Sequence, residues 1–172
     1  APRRVQSMLM MVDAYEPLGV TRLSVDSIFM MPHLGVLSTI NEKAATDVFV
    51  RDCMVYLGTC VAPIGQGKDG ERCADYVITF PDGRVDKGQL LFGDLRLVPL
   101  AGDQKASITI QPAKQVNLGA GAGLSVTREV QGGVVGLMLD GRGRPLQLPS
   151  DHNARVAALM KWYNAVGLYP TA

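Results

Sequence analysis

The spacing of apolar residues changes at Met54, and this change limits the folds open to the chain more than any other feature. Before it, apolar residues recur with the period of a helix, as in residues 3–15. After it, apolar and polar residues alternate in short segments such as 75–80, and turns such as Pro81-Asp82-Gly83 separate those segments. Alternation of this kind is typical of strands with one buried face. The sequence therefore predicts an α+β chain that is mainly an antiparallel β-barrel or sandwich with flanking helices.

The pattern predicts three segments along the chain. Residues 1–53 form a helix-strand-helix segment, residues 54–149 form the β-domain, and residues 150–172 form a C-terminal helix capped by Ser150 or Asp151. The expected elements of the first segment are a helix over 3–15, a strand over 19–27, a loop at 29–35 and a helix over 40–53 capped by Asn41.

Charge and cysteine content exclude several classes of protein. The net charge is +1 and no basic stripe is present, so we expect no nucleic-acid partner. The chain has no apolar run of about 18 residues, so we expect no membrane partner. Cys53, Cys60 and Cys73 are odd in number and widely spaced, which argues against a disulfide framework or a zinc site. Buried thiols in a reducing cytosol are expected, and hence a cytoplasmic protein.

A glycine-rich stretch, Gly119-Ala120-Gly121-Ala122-Gly123, resembles a phosphate-binding loop. Such a loop needs a helix N-terminus after it, because the helix amides bind the phosphate. Here the residues that follow, 124–131, alternate like a strand, and no Lys-Ser/Thr pair is present. We therefore interpret the stretch as a bend whose glycines serve backbone geometry.

The candidate binding residues are Asp140, Arg142, Arg144 and His33. The segment 134–149 is predicted to form a hairpin that turns at Asp140-Gly141, where two arginines near a tight turn suit a phosphate or a partner carboxylate. The alternative for these three residues is a solvated hairpin. His33 falls in the predicted loop, where it is either a ligand-binding or an ordinary loop histidine, and no spacing proposes a catalytic residue or a metal site.

Several segments, in this order, resemble the glutamate mutase L proteins, which are accessory proteins of adenosylcobalamin-dependent methylaspartate mutase. Together they touch most of the chain, and they read GVTRLSVDSIFMMPHLGVLS, FVRDCMVYLGTCVAPIG, GQLLFGDLRLVPL, VNLGAGAG, GGVVGLMLDGRGRPLQLP and the tail ALMKWYNAVGLYP.

The resemblance implies a place within a longer protein. Members of the family look like actin-type ATPases with Asp-x-Gly-Ser/Thr phosphate motifs near the start, and this sequence lacks such a motif. It is thus similar to the C-terminal part of such a protein, with residues 1–53 as the end of the actin-like core. No catalytic residue carries over, and we expect no enzymatic activity of this chain alone.

The function implied is that of a non-catalytic module of an accessory, chaperone-like ATPase that serves a cobalamin-dependent mutase. ATP and adenosylcobalamin would belong to the wider system, with no cofactor bound by this chain. Its partner would be the rest of the ATPase or a mutase subunit. Two alternatives stay open: an independent small ligand-binding or enzymatic β-domain that uses the 140–144 turn, and a structural subunit of a larger assembly. A deep polar pocket at the hairpin would favour the first of these.

Overall fold

A computed structural model describes residues 3–169 of the chain. The strands are β1 Gly19–Asp26, β2 Met54–Ala62, β3 Arg72–Thr79, β4 Val85–Leu91, β5 Leu95–Val98, β6 Lys105–Pro112, β7 Val126–Gln131 and β8 Gly136–Asp140. The helices are α1 Arg4–Tyr15, α2 Met31–Ser38, α3 Glu42–Val48, which runs on into a π-helical turn Phe49–Cys53, and α4 His152–Ala165.

The described strands form two four-stranded sheets. The first has the order β1-β2-β8-β5, with β2 and β8 parallel and the other pairs antiparallel. The second has the order β4-β3-β6-β7 and is antiparallel throughout. The predicted α+β class with mainly antiparallel strands is confirmed. Within residues 3–169 the strands stay in two sheets and do not close into one barrel, which is compatible with the sandwich alternative.

One apolar core joins the two sheets. On β3, Tyr76 and Ile78 are buried while Val77 and Thr79 are exposed, as the alternation predicts. They share a cluster with Leu137 of β8 in the first sheet. Burial of this apolar surface is the main driving force for pairing the sheets.

A second core lies on the outer face of the first sheet, where α1 and α4 pack. Met8 of α1 and Trp162 of α4 share this cluster with Met138 of β8. Since Leu137 and Leu139 belong to the core between the sheets, β8 is buried on both faces. Such a strand carries its C-terminal residue, Asp140, into the interior.

Two local predictions are wrong. The expected loop at 29–35 contains most of α2, because Pro32 fits the first turn of a helix and the Asp26 carboxylate accepts a hydrogen bond from Met31 N at 3.0 Å. The expected hairpin at 134–149 is also wrong, since β8 ends at Asp140 and the rest of that segment forms no strand.

Other predictions of the first segment are confirmed. The α1 helix and the β1 strand lie where expected, and Asn41 caps α3 by accepting a hydrogen bond from Ala44 N at 3.0 Å. In the last segment Asp151 caps α4 through Ala154 N at 2.8 Å. Since β1 pairs with β2 along its length, the first segment contributes an edge strand to the first sheet.

The glycine-rich stretch is a bend, as expected. Gly119, Gly121 and Gly123 have positive φ angles of 100°, 122° and 71°. The side-chain oxygen of Asn117 accepts hydrogen bonds from Gly119 N at 2.7 Å and Gly121 N at 3.0 Å, so the amides face their own chain. Strand β7 follows, where a phosphate loop would require a helix.

We predict that Gly121→Val lowers the free energy of unfolding by about 1–3 kcal/mol, because valine resists a positive φ. A Cβ at this position would also lie 3.0 Å from Leu124 Cδ1. Gly35→Val is the control, because a Cβ there meets no atom within 4 Å. Denaturant melts with and without Mg-ATP measure the effect. Unchanged stability without nucleotide, together with lost stabilisation by nucleotide, would show a phosphate loop instead.

Candidate functional site

Three of the four predicted binding residues form a buried cluster directly after β8. Asp140 is 0% exposed, and Arg142 and Arg144 are 7% and 3% exposed. The alternative of a solvated hairpin is therefore wrong. The residues lie inside because α1 and α4 cover this end of the first sheet.

The carboxylate of Asp140 is the centre of the cluster. Its Oδ1 accepts hydrogen bonds from the backbone N of Arg142 at 3.0 Å and from Nε of the same residue at 2.9 Å. Its Oδ2 accepts from Arg142 Nη2 at 2.8 Å and from Arg144 Nη2 at 2.6 Å. Both oxygens are thus engaged by charged donors, the strongest class of hydrogen bond in proteins.

Arg142 extends the cluster to both helices of the outer layer. Arg142 Nη2 lies 2.8 Å from Asp13 Oδ1 of α1, a charge contact in which no N–H points at that oxygen. The guanidinium carbon of Arg142 lies 5.0 Å from the ring centre of Trp162 on α4. Arg144 Nη1 donates to Gly143 O at 2.9 Å. The cluster therefore holds two cations and two carboxylates that neutralise one another.

Protonation of the cluster follows from these contacts. Burial acts to raise the pKa of Asp140, but hydrogen bonds and charge from Arg142 and Arg144 outweigh it and hold the pKa below its ordinary value. Burial likewise acts to lower the pKa of Arg142, and Asp140 outweighs it and raises that pKa. The groups stay ionised, so Asp140 is a structural anion with no lone pair left for a proton from a substrate.

We predict that Asp140→Asn lowers the free energy of unfolding by roughly 3–5 kcal/mol at pH 7, since it leaves buried guanidinium groups without a counter-charge. Asp52→Asn is the control, because Asp52 takes two hydrogen bonds from Arg51 in an exposed pair. Its loss should cost about 0–1 kcal/mol. Urea melts at pH 7 measure both.

The same variant carries a pH signature. Folding lowers the pKa of Asp140. The contribution of its carboxylate to the free energy of unfolding is therefore complete above the pKa of an aspartate in the unfolded chain, about 3.9. It is lost as the pH falls through the lower folded value. The stability difference between the wild type and Asp140→Asn should therefore shrink below about pH 4. A difference that stays constant in acid would contradict an ionised Asp140.

His33 and the cysteines stand apart from this cluster. His33 is exposed on α2 and does not line the cleft beside Arg142. All three cysteines are buried and unbridged, and burial, then Asp140, raises the pKa of Cys73 to about 12. Such a thiol is protonated at neutral pH and is a poor nucleophile. Within residues 3–169 no group of three or more metal-ligating side chains comes together.

A cleft of about 560 Å³ opens beside the cluster, between the segment after β8, α4 and the connection that follows β2. Of the four predicted residues only Arg142 lines it. Sequence reasoning missed the α4 residues of the cleft, Trp162 and Lys161. Their helical spacing predicts only a packed face and an exposed face, and nothing in it signals a site.

No family model, curated protein or solved structure matches the chain. In the described part of the chain, no helix is both long enough and apolar enough to cross a membrane.

Proposed function

We propose that this chain is the non-catalytic C-terminal module of an actin-like ATPase accessory protein that serves an adenosylcobalamin-dependent mutase, and that it acts by binding protein. The resemblance to the glutamate mutase L proteins supports the assignment. The engaged state of Asp140, Arg142 and Arg144 supports a non-catalytic role, because it leaves neither a free base nor a nucleophile among them.

The observation that carries the binding role is the α2–α3 hairpin, residues 28–50. The two helices pack on each other and on the π-helical turn through Leu34, Ala45 and Cys53. Leu34 and Ala45 are the one buried residue of each helix. The hairpin also carries seven exposed large apolar side chains, which are Ile28, Phe29, Met31, Val36, Leu37, Ile40 and Val50.

The apolar surface of the hairpin has the size of a protein interface. If each side chain has about 200 Å² and shows somewhat more than half of it, the seven expose on the order of 800 Å². This is comparable with one side of a standard interface, about 800 Å². We assign this surface to contact with the rest of the actin-like core, because the resemblance makes residues 1–53 the end of that core.

Local geometry at the start of the hairpin fits a binding role. Phe29 is 77% exposed and has a positive φ of 57°, which is unfavourable for a side chain of this size. The Asp26 carboxylate accepts hydrogen bonds from Ile28 N at 3.1 Å and Met31 N at 3.0 Å on either side of it. The chain therefore holds a strained backbone that presents an aromatic ring to solvent, which is common at functional sites.

A second candidate, a small ligand-binding domain, is favoured by one observation. The cleft beside Arg142 has a volume within the roughly 300–1,000 Å³ range of ligand sites. Asp140 and Arg144 do not line it, so the predicted turn does not act there as a unit. The docking role is the stronger proposal because it explains the exposed apolar side chains of the α2–α3 hairpin, which ligand binding in the cleft does not.

We predict that Val36→Asp weakens binding of the purified chain to a purified actin-like core of this family by about tenfold or more, because a charge enters an apolar interface. Val134→Asp is the matched control. The two valines are similarly exposed, at 69% and 62%, and Val134 lies between β7 and β8. Biolayer interferometry compares the dissociation constants.

The outcomes separate the possible occupants of the surface. The proposed docking would be contradicted if both variants lost the same amount of affinity for the core. It would also be contradicted if the wild type did not bind the core. Sedimentation of the chain alone adds a further check. Self-association that Val36→Asp abolishes would assign the hairpin to a second copy, which would also contradict the proposal.

The non-catalytic role has a separate test. We predict that calorimetric titration of the chain with Mg-ATP shows no binding, because the sequence lacks the phosphate motifs and a strand follows the glycine-rich bend. Phosphate release should equal that of buffer. A dissociation constant in the low micromolar range would contradict the role.

A further inference from the structure

The cleft beside the buried ion cluster combines a fixed cation with an apolar wall. Arg142 lines it from the segment after β8, and Lys161 lines it from α4. The wall between them consists of Ala154, Ala157 and Trp162. A concave space with a few converging polar groups and apolar walls is the usual form of a small-molecule site.

Arg142 keeps one donor nitrogen unused. Its backbone N, Nε and Nη2 serve Asp140, and Nη2 also lies beside Asp13. Nη1 makes no hydrogen bond to any residue that the structure describes. The side chain is 1% exposed, its guanidinium is held in place by Asp140, and the residue lines the cleft, so Nη1 is a preorganised donor there. A ligand oxygen at this point would accept a charge-assisted hydrogen bond from a guanidinium whose position is already fixed.

Lys161 supplies a second cation whose present partners are exposed. Its Nζ lies 3.1 Å from Asp94 Oδ1 and 3.4 Å from Asp69 Oδ1. The Asp69 side chain is 79% exposed, so its pair with Lys161 contributes about 0–1 kcal/mol at most. A ligand carboxylate can replace Asp69 at little cost. Asp69 itself lines the cleft, and Asp94 stays paired with Lys161 when a ligand takes over the contact of Asp69.

We propose that this cleft binds a small carboxylate-bearing molecule. Its carboxylate takes hydrogen bonds from Arg142 Nη1 and pairs with Lys161, and its aliphatic body lies against Ala154, Ala157 and Trp162. The site is separate from the α2–α3 hairpin, so the proposal goes beyond the docking role and does not depend on it.

Trp162 provides a direct readout because it is the one tryptophan of the chain and its ring lines the cleft. The purified chain is titrated with sodium butyrate, and with butyramide at matched ionic strength, while the emission of Trp162 is followed. Butyrate should give a saturable change in the emission of Trp162. Butyramide should bind about tenfold more weakly, because it lacks the charge that pairs with both cations.

Two variants test the site without disturbing the ion cluster. Ala157→Leu fills the cleft from an exposed position of α4 and should abolish the response. Lys161→Met removes the outer cation and should weaken butyrate binding at least about fivefold while leaving butyramide unchanged. Lys87→Met is the control for loss of a lysine, because Lys87 is an exposed residue of β4. This variant should bind butyrate like the wild type. Circular dichroism melts verify that each variant is folded.

Three results would overturn the proposal. The first is that the emission of wild-type Trp162 shows no saturable response up to 100 mM butyrate. Any binding would then be weaker than about 1.4 kcal/mol in free energy. The second is an equal response to butyrate and butyramide. The third is a wild-type response in folded Ala157→Leu or Lys161→Met, which would place any binding outside this cleft.

Discussion

The buried carboxylate of Asp140 is the interaction on which the rest of the structure depends. It lies at the end of β8, the strand that is covered by the second sheet on one face and by helices on the other. Through Arg142 it reaches Asp13 of α1 and the ring of Trp162 on α4. One anion thus links the first sheet to both helices of the outer layer. Because its charge is matched by buried partners, removal of a single member costs more than the pair itself contributes.

Different parts of the chain serve stability and binding. At the end of the molecule that holds Asp140, charged side chains join the first sheet to the helices, and Arg142 also lines the cleft. The α2–α3 hairpin is different, because each helix buries a single residue and seven large apolar side chains face solvent. Surface of that kind is stabilised by contact with another protein. We therefore propose protein docking at the α2–α3 hairpin and small-molecule binding at the cleft.

The sequence predicted the strands well because alternation reports burial on one face, and Tyr76 and Ile78 follow it. It failed where distant contacts decide the outcome. The α2 helix begins at Met31 because of Asp26, five residues earlier, and local composition gives no sign of that cap. The burial of Arg142 and Arg144 was also missed, since two arginines among glycines have the composition of an exposed turn. Only the covering helices, remote in sequence, make that turn internal.

We propose that the chain contacts its protein partner through residues 28–50, while the Asp140 cluster serves stability. Hydrogen–deuterium exchange of the chain, alone and with the actin-like core, tests it most directly. The claim predicts slower exchange over residues 28–50 and unchanged exchange over residues 140–149. Protection confined to 140–149, with residues 28–50 exchanging as in the free chain, would contradict it.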